Sequence, residues 1–311
     1  MAKSIDEAVL LQLQKCKDLP TPPAVAVKII ELSGTKNSDI DALASIVAMD
    51  PALSAKMLGI ANSSLYMRRV EADSIQQAVM MFGWSGTLNI ALSFAVTGAI
   101  HGNLSSGINH DYVWRRCLAA AVSACKLGEV IGHKDEKLLF LPALLQDIGM
   151  LALDRAVPDL YEGIAEKQQD HIYLQDLEQD KINADHAMIG GWLLQTWKLP
   201  QQITHLVAMS HSALSSKKDE ELIEAQRIIY LSGYIADCLV ANEEFQNVER
   251  VGKLVEKHLT IPVSDFFPIL GQTATQFLEM AAIFEIEVEN KEQIQSMQEF
   301  SALTAFSELN Y

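Results

Sequence analysis

The stretch "LLFLPALLQDIGMLALD", Leu138 to Asp154, decides how this chain is read. From Leu138 to Leu153 every residue is apolar or small except Gln146 and Asp147, which stand side by side. An ionised carboxylate in such a run is costly unless something pairs with it. The run falls short of the ~18 apolar residues that a membrane-spanning helix needs. It therefore reads as a core helix or a pair of core helices, with Asp147 in want of a partner.

The chain around it has 311 residues, 49% of them hydrophobic and 21% charged, which are globular values with ample material for a core. Helical periodicity dominates and alternating strand-like runs are almost absent, so the expected class is all-α. Helices are expected near 23–32, 85–100, 111–131, 137–153, 158–169, 184–197, 200–210, 220–241 and 248–258. Start signals support several boundaries. Ser38 opens "SDIDALASIVAMD" with Asp41 three residues on, and Ser74 opens "SIQQAVMMFG" with Gln77 at the same offset, a capping-box spacing. Asp50-Pro51 puts a good N-cap before a proline at the first helical position.

The first residues, "MAKSIDEAVLLQLQKCKDLP", lack the order of a signal peptide and read as a short amphipathic helix. Cys16, Cys117, Cys125 and Cys238 show no metal-ribbon spacing and are few for a disulfide framework. They are expected to be reduced thiols in a cytoplasmic protein. A net charge of −16 argues against nucleic acid as a partner, because that affinity is built on clustered Lys and Arg. No membrane partner is expected either, and the oligomeric state stays open. Phosphate-cradling signatures such as GxxxxGK[ST] or GxGxxG are missing.

Several blocks, taken in order, carry a family resemblance. "LPTPPAVAVKIIEL" from Leu19, "DPALSAKMLGIANS" from Asp50 and "SIQQAVMMFG" from Ser74 resemble the N-terminal half of the HDOD family, the HD-related output domains of bacterial signalling. "VWRRCLAAA", "PALLQDIGMLAL", "ADHAMIGGWLLQTWKLP" and "MSHSAL" continue the match. The resemblance implies an HD-like helical bundle. The expected organisation is an N-terminal helix at 1–18, the HDOD domain at 19–214, and a C-terminal helical extension or small lobe at 215–311.

The resemblance also implies what has been lost. HD phosphohydrolases hold a divalent metal with a His from one helix, an adjacent His-Asp pair on another and a later Asp, and the metal acidifies water and neutralises phosphate. The resemblance places the first His at Arg116 and the His of the pair at Gln146, with Asp147 retained. The later carboxylate falls at Asp237, and His186 and His211 stand where HD-type proteins carry further histidines. An arginine is effectively always charged and repels a cation. Arg116 is therefore expected to form a buried ion pair with Asp147 in place of a metal. No catalytic residue, cofactor or metal is expected on this reading.

Three functions follow in order of preference. The first is a non-catalytic signalling module or scaffold with a signalling protein as partner. The second is an HD-type metal-dependent phosphohydrolase acting on a nucleotide, with Asp147, His186, His211 and Asp237 holding the metal. The third is a non-hydrolysing nucleotide sensor in the vestigial pocket. His101, His110, His133, His171, His205 and His258 are expected to be surface, capping or packing residues. Cys117 and Cys125, in "CLAAAVSACKLG", read as small apolar residues for close helix packing. Asp50-Pro51 and Asn62-Ser63 read either as caps and tight connections or as part of a partner surface.

Overall fold

The structure, a computed structural model, describes residues 5–33, 39–66, 71–100, 107–164, 169–212, 220–241 and 245–289, with 291–292, 294–295 and 297–298 beyond them. All regular structure among these residues is helical. The N-terminal part contains α1 (Glu7–Lys15), α2 (Ala24–Ser33), α3 (Ile40–Ala48), α4 (Pro51–Ala61) and α5 (Ile75–Ile100). The central part contains α6 (His110–Ile131), α7 (Phe140–Leu144), α8 (Ile148–Ala156), α9 (His171–Ile182), α10 (His186–Thr196) and α11 (Gln201–Ala208). Last come α12 (Glu220–Val240), α13 (Phe245–Leu259) and α14 (Val263–Phe284). Short 3-10 turns at Glu136–Leu139 and Pro158–Tyr161 precede α7 and follow α8.

Helix α6 is the axis of the body. Every residue from Tyr112 to Gly128 is buried, the pattern of a helix surrounded on all sides. Helices α7, α12 and α14 pack around it. Two arginines of α6 are thereby carried into the interior and need partners there. Arg115 gives its Nε to the Glu287 carbonyl at 2.8 Å and an Nη to Glu289 at 2.7 Å. Arg116 faces the centre described below.

The same hydrophobic cluster runs through residues on both sides of Ser215, from Ile29 and Leu118 to Ile228, Phe266 and Phe277. Phe284 of α14 stacks on Phe94 of α5 at 4.3 Å between ring centres and lies 5.9 Å from Phe140 of α7. The C-terminal helices thus complete the core around α6.

Local chemistry explains most boundaries. Asp50 accepts from the N–H groups of Ala52 and Leu53, and Pro51 follows as expected. The N-cap of α3 is Asp39, which accepts from Ala42, rather than Ser38, which lies outside the described residues. At α5, Ser74 Oγ accepts from Gln77 N, while the Gln77 amide reaches back to Asp73 N rather than to Ser74. Asn62 is a connector: its side chain pairs with both the N–H and the carbonyl of Ala72 and closes the loop between α4 and α5.

Two expectations need correction. The helix expected at 137–153 is broken into a 3-10 turn, α7 and α8, and the break falls at Leu145, Gln146 and Asp147. The segment expected to be helical at 158–169 holds, among its described residues, only the 3-10 turn Pro158–Tyr161. The apolar stretch Ile75–Thr97, 23 residues, is by length and composition long enough to cross a bilayer, unlike the run from Leu138. It is two thirds buried in the core and interrupted at Gly83, whose φ of 67° and ψ of −176° are open to glycine and hostile to other residues.

Candidate functional site

The break between α7 and α8 gives Asp147 its position. It stands as the residue before α8, fully buried, and its side chain makes no cap bond to that helix. The carboxylate is turned instead toward α6 and the starts of α9 and α10. Close approach of α8 and α10 makes this possible, since Gly149 crosses α10 beside His186 and Gly190. A Cβ at Gly149 would sit 1.9 Å from the His186 carbonyl oxygen and 2.6 Å from the Gly190 nitrogen.

Arg116 occupies one side of this centre. Its Nη1 donates to Asp147 Oδ2 at 2.5 Å. Its Nε and Nη2 donate to the two oxygens of Asp237, on α12, at 2.6 and 3.2 Å, and Nη2 also reaches the Gly233 carbonyl at 3.2 Å. The expected Arg116–Asp147 pair is present, and Asp237 adds a bidentate partner. One guanidinium is shared by two acids, and their titrations split accordingly. Although burial opposes its charge, Arg116, helped by His171 and His186, holds Asp147 well below the usual carboxylate range. Burial and the neighbouring Asp147 charge leave Asp237 above it, even with Arg116 alongside.

Gln146 is buried beside this pair, and its amide nitrogen makes no hydrogen bond. Gly233 keeps α12 clear of it: a Cβ there would lie 3.2 Å from both Arg116 Nη2 and Gln146 Oε1. The cavity lined by Arg116, Gln146, His171, His211, Tyr234 and Asp237 has about 10 Å³ of room for water centres, space for roughly one water.

Three histidines face the other oxygen of Asp147. His186 Nε2 and His171 Nε2 lie 3.5 and 3.7 Å from Oδ1, which has no hydrogen-bond partner. His171 Nε2 is 3.2 Å from the Nε2 atoms of both His186 and His211. The far nitrogen of His186, Nδ1, contacts Glu178 at 2.7 Å. Glu178 is fully buried and is itself held by Tyr161 Oη and by the His186 backbone N–H. Burial disfavours a charge on His186, yet Glu178 and Asp147 raise its pKa to about 10. Burial and the Arg116 charge push His171 well below its ordinary value, and burial with His186 lowers His211.

All six sequence-derived positions, Arg116, Gln146, Asp147, His186, His211 and Asp237, converge here. His171 corrects the expectation for the scattered histidines, because it stands at the hub of the cluster rather than on the surface. Glu178, Tyr161 and Asp185 were also missed. A signal existed for His171: "DH" at 170–171 repeats "DH" at 185–186, and both times Asp is the N-cap and His the first helical residue. Cys117, with Sγ 3.8 Å from Asp147 Oδ2, is buried and its thiol is pushed up by burial, which fits packing rather than nucleophilic use.

This geometry sits within a recognisable sequence family. The HDOD domain family matches residues 19–213. The chain belongs to that family. An HDOD domain protein of unknown function from Geobacter sulfurreducens shares the fold with a TM-score of 0.63 at 18% identity, over 91% of this chain and 99% of that one. A proposed phosphohydrolase from Shewanella amazonensis does so with a TM-score of 0.66 at 21% identity, over 89% of this chain and 98% of that one. An uncharacterized protein of Treponema pallidum is 23% identical over 199 residues, 63% of this chain and 38% of that protein. At these identities the solved structures establish a shared HDOD fold. Chemistry has to come from the residues of this chain.

Proposed function

We propose that this HDOD protein is a non-catalytic regulatory module of bacterial signal transduction, working in the cytoplasm by docking a signalling protein. The observation that carries the reading is Arg116. By the family resemblance Arg116 falls where the HD pattern has an imidazole, and its guanidinium engages both carboxylates, Asp147 and Asp237, that the resemblance would assign to a metal. A metal-bound nucleophile needs an open coordination position and a substrate needs a cleft, commonly hundreds of Å³. Room for roughly one water beside Arg116 supports neither.

The same packing weighs against a nucleotide sensor at this spot. Arg116 spends Nε, Nη1 and Nη2 on Asp147, Asp237 and Gly233, which leaves little of its fork for a phosphate.

A turnover screen tests the proposal. Purified protein is incubated with cyclic dinucleotides, nucleoside monophosphates and a chromogenic phosphodiester in the presence of Mn²⁺, Fe²⁺ or Mg²⁺. The expected result is no hydrolysis above a matched Asp147→Ala control. Metal-stimulated turnover that Asp147→Ala abolishes would establish the phosphohydrolase instead. The positive arm is binding of purified two-component or chemotaxis proteins from the host, measured by calorimetry, with failure across that set counting against docking.

A further inference from the structure

Arg116 binds Asp147 through Oδ2 alone, and the other oxygen, Oδ1, is fully buried without a hydrogen bond. Such an orphan is rare and calls for an explanation. What surrounds it is a set of nitrogen donors: the Nε2 atoms of His171 and His186, with the Nε2 of His211 next to them. One ligand atom from each of Asp147, His171, His186 and His211 falls within 4.8 Å of every other. The three rings stand at 71 to 78° to one another, as rings do when their edges point to a common centre.

The spacing matches a cation better than protons. Four ligands about 2.0–2.1 Å from a tetrahedral ion lie roughly 3.3–3.4 Å apart. The closest pairs here are 3.2, 3.2, 3.5 and 3.7 Å. A ring nitrogen carries at most one proton, so His171 Nε2 cannot donate to two neighbours at once, whereas one ion satisfies all the facing lone pairs. The outer contacts fit as well. Glu178 fixes His186 through Nδ1, and Asp185 Oδ2 lies 3.7 Å from His211 Nδ1, so both rings present Nε2 inward beside a carboxylate. Asp147, Asp237, Glu178 and Asp185 bring four carboxylates to this centre, beside the guanidinium of Arg116.

We infer that Asp147, His171, His186 and His211 form a closed, four-coordinate site for a borderline divalent cation of the zinc class. Three imidazoles and one carboxylate select Zn²⁺, Co²⁺ or Fe²⁺ over Mg²⁺ and Ca²⁺. The site differs from the ligand set that the resemblance implies for a phosphohydrolase: it uses His171 and leaves Asp237 to Arg116. With four protein ligands and almost no free volume it has no position for substrate. Its role is to staple the entrance of α8, the first residues of α9 and α10 and the chain just past α11, so that metal supply sets the rigidity of this half of the body. The inference stands on the cluster geometry and does not depend on the docking reading.

The test uses the full chain, stripped with chelator and titrated with Zn²⁺ by calorimetry and with Co²⁺ by visible absorbance. The expected result is one equivalent bound, intense four-coordinate Co²⁺ bands without thiolate charge transfer, and a higher melting temperature. X-ray absorption of the Zn²⁺ form should show nitrogen and oxygen scatterers only. His171→Ala should weaken binding by at least ~10-fold, the scale of loss for even an outer contact, while His205→Ala, an exposed control, should not. If His171→Ala fails to fold, His171→Gln and the absorption spectrum of the unaltered protein carry the test. Absence of a saturable equivalent, sulfur ligation, six-coordinate Co²⁺ spectra or unchanged affinity in the His171 variants would each overturn the site. Turnover is measured separately, so loss of this inference and loss of the non-catalytic reading give different results.

Discussion

Replacing Arg116 by alanine is the sharpest probe of the charge network. The substitution removes four donor contacts at once: one to Asp147, two to Asp237 and one to the Gly233 carbonyl. Asp147 has no exposed side-chain surface and Asp237 only 14%, so water cannot take the place of the guanidinium. Breaking a buried pair by removing one partner costs about 3–5 kcal/mol. Part of that cost is relieved, because Asp237 already titrates above the usual range and takes up a proton readily once Arg116 is gone. The expectation is therefore a loss of about 3 kcal/mol, or a melting temperature lower by about 5 °C in a chain of this size. Urea unfolding in the presence of chelator measures it, with an unchanged m-value showing that the same surface is exposed. Lys253→Ala, which breaks an exposed pair with Glu249, is the control and should cost under about 0.5 kcal/mol. In Arg116→Met with Asp147→Asn the charge imbalance shrinks, so the double variant should lose less than the sum of the two singles. A loss below about 1 kcal/mol for Arg116→Ala would refute a buried network and reduce the pair to a surface-like contact.

Two further outcomes follow from packing and burial. Gly149→Ala forces a methyl group against the backbone of α10, 1.9 Å from the His186 oxygen, and should cost more than the ~1–3 kcal/mol of ordinary overpacking; urea unfolding near wild-type stability would contradict the helix crossing. Burial pushes the Cys125 thiol up to about 12 and Cys117 well above its ordinary value, so both stay protonated at pH 8. With Cys238 also buried, iodoacetamide at pH 8 should label Cys16 quickly and the other three only in denaturant, as read by mass spectrometry.

The sequence carried the helical class and the retained acid because both rest on local patterns. Apolar periodicity marks α6 and α12, and an acid alone in an apolar run marks Asp147. Helix α9 escaped for a physical reason. Its buried stripe is His171, Leu174, Glu178 and Ile182, so half of the inward face is polar and no apolar period emerges. A stripe that is polar because it serves a site is invisible to a method that looks for oil. The break at Gln146 and Asp147 was hidden for the opposite reason. The residues on both sides of that pair are apolar and read as one helix, although the chain turns between them to present the carboxylate, and the turn is set by tertiary contact with α6 and α10.

The reach of the site beyond the family match changes what counts as the working unit. The HDOD match ends at residue 213, yet Asp237 and Gly233, both partners of Arg116, lie on α12. Helix α12 also packs along α6, whose side chains are buried from Tyr112 to Gly128. A chain ending at the match would expose that face to water and leave the Arg116 guanidinium with half of its counter-charge. Burying Arg116 and relying on a helix outside the matched region are therefore linked. A buried guanidinium shared by two carboxylates depends on both, and α12 holds the second of them, Asp237.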